Sequence, residues 1–154
     1  MSGADAATFP SWTAAIRRYL VAAVGGHLAW EIAQLPLYTL WRDGTTAEIA
    51  RAVLHCTAGD LIITGVTLIL ALAAVGTAEW PRRRVIAVTV FVVVFAVVYT
   101  GYSEYLNAIV RRNWVYADAM PTLPLMGIGV SPLVQWIVVP IVALVWACRR
   151  RRLG

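Results

Sequence analysis

Residues 85–101 read VIAVTVFVVVFAVVYTG, seventeen positions without a charge, entered directly from Arg82, Arg83 and Arg84. Valine and phenylalanine in such density suit a strand, but strands usually run about 5–6 residues and this run is three times that length. A helix rises ~1.5 Å per residue, so a run of this kind reaches most of the way across a ~30 Å hydrocarbon core. The flanking arginines then decide for a transmembrane helix, expected over 84–105. Three further runs follow the same pattern, over 19–41, 55–77 and 133–148. The expected fold is therefore an all-α integral membrane protein, a four-transmembrane-helix bundle forming one domain over 1–154.

Composition agrees. Of 154 residues 60% are hydrophobic and 14% charged, with a mean hydropathy of +0.73, against roughly 45–50% apolar and 25% charged in soluble domains. Disordered chains lie in the opposite corner of composition, and two cysteines are too few for a disulfide framework. All thirteen basic residues are arginine, nine of them on one side of the four spans and four on the other. The positive-inside rule then places both termini in the cytoplasm and the chain, as a multi-pass protein, in the inner membrane. The net charge of +5 reads as topogenic charge and attraction to membrane lipid. Arginines that flank spans form no nucleic-acid footprint. Arg17 and Arg18 before an apolar run resemble a signal peptide, but the run continues through His27 and Glu31 with no clear cleavage site, so it is read as a retained span. The first dozen residues read as a loose tail.

Local signals mark the ends of the helices. Pro36 should close or kink the first helix, and Thr45 or Thr46 with Glu48 should cap the second. Trp80–Pro81 should end the second helix. The outer loop 111–132 contains MPTLPLMGIGV at 120–130, apolar yet broken by two prolines and two glycines. Such a backbone must pack on protein or lie at the wet interface, and loop 111–132 is expected either to cover the outer mouth as a lid or re-entrant turn or to serve only as an interfacial connector.

Ionisable groups inside spans are costly, roughly 2.5–3.5 kcal/mol at a helix centre, and are functional suspects for that reason. His27, Glu31 and Gln34 share one face of the first helix, and Cys56, Asp60, Thr64 and Thr67 form a stripe on the second with His55 beside it. The third helix offers Thr100, Glu104, Asn107 and Arg111, and the fourth Gln135. Four helices thus bring polar atoms to one level near the outer face.

Three functions fit this cluster. In the first, His27, Glu31, His55, Asp60 and Glu104 hold a transition metal ion for handling or catalysis, supported by Gln34, Cys56, Asn107, Arg111 and Gln135. Mixed imidazole and carboxylate donors suit Zn, Fe or Mn, and Met120, Met126 and Cys56 would favour Cu. Haem is disfavoured, because His27 and His55 lie at different depths. The spacing matches neither the Glu-x-x-His pair of di-iron bundles nor the His-Glu-x-x-His of zinc proteases. In the second, the protein is a non-catalytic scaffold or accessory subunit whose carboxylates pair with Arg51, Arg111 or Arg112. In the third it is a proton- or ion-coupled carrier working as a homo-oligomer or in a larger membrane complex. No phosphate loop or nucleophile elbow occurs.

Overall fold

The computed structural model describes residues 9–149. Residues 1–8, and with them most of the expected tail, lie outside the described residues, as do Arg150, Arg151 and Arg152 of the C-terminal arginine group. The described residues form helices and loops with no β-strand. The order is α1 (Trp12–Gln34), a 3-10 turn (Leu35–Leu37), α2 (Leu40–Asp43), α3 (Thr46–Val75), α4 (Val85–Glu104), a π-helical turn (Tyr105–Val110) and α5 (Val130–Ala147). Four of these elements are long and apolar enough to cross a membrane.

Two helices begin earlier than their apolar bodies. Helix α1 starts at Trp12 rather than near 19, because Ser11 accepts a hydrogen bond from the Ala14 amide and starts the helix below Arg17 and Arg18. Helix α3 starts at Thr46 rather than near 55. The Thr45 side chain accepts from the Glu48 amide while the Glu48 carboxylate accepts from the Thr45 amide, a reciprocal capping box. Hydrophobicity locates the part of a helix suited to lipid, whereas caps locate its ends. Pro36 sits in the 3-10 turn that follows α1, as its missing N–H requires. Helix α3 stops at Val75, ahead of Trp80–Pro81, where Gly76 takes a φ of +90°. Arg84 then ties the turn together, donating to the Val75 carbonyl and, at 3.0 Å, to Glu79.

The long helices form a ring in which α1 packs on α3 and α5, and α4 packs on α3 and α5. Close approach of α1 to α5 rests on Gly26, where an added Cβ would meet Val139 Cγ1 at 2.9 Å; Gly25 beside it faces open space. The apolar core fills one end of the ring, with Ala15, Tyr19, Ala23, Ala71, Val88, Val92, Ala143 and Ala147. Large apolar side chains such as Leu54, Ile62, Ile69, Ile86 and Val98 point outward. Apolar exterior and polar interior invert a soluble domain and are compatible with a lipid surround.

Within loop 111–132 the bundle's cavity is bordered by 113–115 and not by 120–130. The chain at 120–130 folds on itself, with Leu123 N donating to Ile128 O at 2.9 Å and Val130 N to Pro121 O at 2.8 Å. Ile128 is buried, with Gly101 and Leu133 beside its side chain, whereas Leu125 is fully exposed. The cover is made elsewhere. The connector after α1 pairs with the chain after the π-turn through Thr39 N to Val115 O at 3.0 Å and Ala117 N to Leu37 O at 2.9 Å. Tyr38 and Tyr116 meet across this pair, their rings 5.6 Å apart.

Candidate functional site: an acidic cavity at one end of the bundle

Opposite the apolar core lies a cavity of about 820 Å³ bounded by all four long helices and by the Leu35–Gly44 and Asn113–Val115 segments. Its base is built around Gln135, which α5 presents between α1 and α3 and which is 2% exposed. The Gln135 amide nitrogen lies 3.0 Å from His27 Nδ1, 3.0 Å from Asp60 Oδ2 and 3.2 Å from Glu31 Oε1. An amide group carries two hydrogens, so three acceptors share two donors. With Nδ1 accepting, the ring proton of His27 sits on Nε2 and faces Thr64 Oγ1 at 3.3 Å. Asp60 Oδ2 stands 3.5 Å from His27 Nδ1, and the Trp136 ring packs 4.5 Å from the imidazole.

The network continues toward the mouth. Gln34 donates to Glu31 at 2.9 Å and accepts from Ser131 at 2.9 Å, and Ser131 accepts in turn from the Trp30 indole at 3.2 Å. The opposite wall belongs to α4. There Glu104 accepts a short hydrogen bond from the Tyr116 hydroxyl, which itself accepts from the Gly129 amide at 3.0 Å. The Trp114 indole N–H lies beside Glu104 and Tyr116. Burial, with the Glu104 charge acting in the same direction, holds the hydroxyls of Tyr38 and Tyr116 above the usual phenol range, so both remain donors.

The π-turn shapes this wall. A helix with i→i+5 bonding slips its phase, so Asn107 and Arg111 do not continue one face with Glu104. Asn107 turns back to donate to the Ser103 carbonyl at 2.9 Å and accepts from Asn113 at 2.8 Å, at the cavity edge. Arg111 is exposed and does not line the cavity.

The ten residues singled out from sequence therefore divide. Glu31, Gln34, Asp60 and Gln135 meet directly, and His27 joins them from beneath. Glu104 faces them across the cavity, held by Tyr116. His55 is exposed at the rim and Cys56 is partly buried in the wall. Among the described residues, no three of His, Cys, Asp and Glu gather into a group able to hold a metal ion, since the Gln135 amide occupies the point on which His27, Glu31 and Asp60 converge. Met120 is buried with its sulfur toward Gly129, and Met126 lies half exposed. Neither lines the cavity, so the copper donor set is not assembled.

The expected arginine partners are absent as well. No described arginine lies within ion-pairing distance of Glu31, Asp60 or Glu104; the arginine ion pairs among the described residues are those of Arg83 and Arg84 with Glu79. Arg51, Arg111 and Arg112 are all exposed. The Gln34 and Gln135 amides and the Tyr116 hydroxyl satisfy the carboxyl groups instead. Polar residues that sequence reasoning passed over are Tyr116, Ser131 and Trp114, whose roles depend on loop pairing and carry no spacing signal.

Compared with known protein families, with curated proteins and with solved structures, the chain matches none.

Proposed function

We propose that this is a multi-pass inner-membrane protein, with both termini cytoplasmic, that takes a cation into the acidic cavity from the outer face and serves as a carrier or binding component for it. One observation carries the reading. Five of the eight acidic residues of the chain (Glu31, Asp43, Glu48, Asp60 and Glu104) line the cavity, and none of the ten arginines among the described residues does. A cleft lined by one sign of charge with low-dielectric walls concentrates the opposite sign. Here that bias runs against the positive net charge of the molecule.

A coordinated transition ion is the less favoured occupant. It would have to displace the Gln135 amide before His27, Glu31 and Asp60 could share it, and His55 stands apart at the rim. The test is a titration of full-length protein in nanodiscs with Mn²⁺, Zn²⁺ and organic ammonium ions, read by quenching of tryptophan fluorescence, since Trp114 and Trp136 border the cavity. Saturable binding that weakens in Glu31→Gln and in Asp60→Asn is the expected result. If no cation saturates the wild type, or if both variants bind as the wild type does, the reading is overturned.

A further inference from the structure

Resting on the cation-binding reading, we infer that Glu31 and Asp60 hold one shared proton and give it up to a bound cation, so that the site exchanges a cation for a proton. The two carboxyl groups come from different helices, α1 and α3, and meet at the base of the cavity. Glu31 Oε1 and Asp60 Oδ2 both accept from the Gln135 amide nitrogen, at 3.2 and 3.0 Å, and the two side chains also lie within hydrogen-bond reach of each other. Both are buried, at 9% and 8% exposure. Two carboxyl groups in contact away from water do not both ionise, because the second charge meets the first with little screening. A hydrogen bond between them itself needs a proton, since two carboxylates only accept.

A positive charge beside the pair would lift that restriction, and none among the described residues faces it. Gln34 and Gln135 supply neutral amides. From α1, His27 Nδ1 stands 3.5 Å from Asp60 Oδ2. The same Nδ1 lies 3.0 Å from the Gln135 nitrogen, which can only donate, so that ring atom carries no hydrogen and the imidazole is neutral. Cys56 from α3, Glu104 from α4 and Tyr38 from the connector act on the pair electrostatically, and each is neutral or negative. Helix α5 brings no ionisable side chain. Glu31 and Asp60 border the cavity, so a cation reaches them there and supplies the missing charge. The O–H bond of the protonated carboxyl group breaks, its proton leaves for water through the mouth, and the cation remains beside two carboxylates. No electron moves.

Calorimetry on the full chain in phosphatidylcholine nanodiscs counts the proton. Ethylammonium and Mn²⁺ are titrated in two buffers of different ionisation enthalpy, and the change in heat between them gives the protons released per cation bound. The wild type should release about one, and its affinity should rise up to about tenfold per pH unit between about pH 6 and 8. Asp60→Asn and Glu31→Gln each leave a single carboxyl group that ionises without a partner. Both should bind more weakly at about pH 8, release no proton and show no slope with pH. His55→Gln, at the rim, should still release one. Infrared difference spectra read the same proton in the wild type alone: the C=O stretch of a protonated carboxyl group should be lost on cation binding. Binding without proton release or without that spectral loss overturns the inference and leaves the cation reading standing. So does a release that survives both carboxyl variants or vanishes in His55→Gln. Failure of every cation to bind removes both.

Discussion

Replacing Gln135 by leucine removes the one group that joins three helices at the base of the cavity. The amide nitrogen stands at 3.0 Å from His27 Nδ1, 3.0 Å from Asp60 Oδ2 and 3.2 Å from Glu31 Oε1, and its two hydrogens support two full bonds at any instant. Hydrogen bonds to charged groups contribute about 1.5–3 kcal/mol each in soluble proteins, which sets an upper figure of roughly 6 kcal/mol. In a membrane the unfolded helices also find polar partners, and measured interhelical bonds fall nearer about 0.6–2 kcal/mol. The lower scale governs here, so the expected loss is about 1–4 kcal/mol. Glu31 keeps its bond from Gln34 and His27 keeps Thr64, which leaves Asp60 as the group most exposed to the change. Reversible unfolding in mixed micelles measures the difference, with Asn107→Leu as a control at the cavity edge. A Gln135→Leu protein within about 0.5 kcal/mol of wild type, the range of ordinary surface changes, would refute the account of Gln135 as the joint of the bundle.

Other outcomes follow from particular contacts. Gly26→Ala drives a methyl group against Val139 Cγ1 and should lower stability by about 1–3 kcal/mol; Gly26→Ala with Val139→Ala should recover most of it, and Gly25→Ala should change little, all by the same unfolding measurement. Arg51 is exposed in the first turns of α3, at the cavity end, and Cys148 lies beyond the end of α5, so in sealed, oriented vesicles a membrane-impermeant maleimide added outside should label an Arg51→Cys, Cys56→Ser protein at 51 and spare Cys148. Burial pushes the Cys148 thiol up to about 11, and because the thiolate is the reactive form its labelling should stay slow near neutral pH even after the vesicles are opened. Labelling of Cys148 from outside would reverse the orientation. Tyr116 has its hydroxyl held above the ordinary 10.0 by burial and by Glu104. Stability from that phenol is thus complete below pH 10 and falls as pH rises beyond it, where the unfolded chain ionises first. Tyr116→Phe should therefore be less stable near neutrality, with a shallower alkaline decline.

The helices were legible because crossing lipid imposes a length on apolar runs. Residues 85–101 are too long for a strand, and the Thr45 cap and Pro36 stop are local chemistry that needs no partner. Helical spacing also grouped Glu31 with His27 and Gln34, and Asp60 with Thr64. What spacing cannot supply is the rotation of one helix against another. Gln135 looked like a single supporting amide because its three partners sit on α1 and α3, 75 to 108 residues away in the chain. The same limit turned carboxylates near arginines in sequence into expected ion pairs, when the arginines in fact point to the exterior. The π-turn over YLNAIV carries no breaker residue, so the phase slip that turns Arg111 away had no advance signal. Which part of loop 111–132 borders the cavity was hidden for a related reason. The two halves of the cover, 35–44 and 113–117, are unremarkable alone and become a structure only when paired.

The apolar end of the bundle determines what kind of device this can be. Ala15, Ala23, Ala71, Ala143 and Ala147 bring the helices close, and Tyr19, Leu68, Leu72, Val88, Val92 and Leu144 fill the space that remains. A guest resting on Gln135 meets an electrical insulator underneath. Passage onward requires the rods themselves to part there, and bulky side chains interlocked across four helices resist such a parting because each must find a new rotamer.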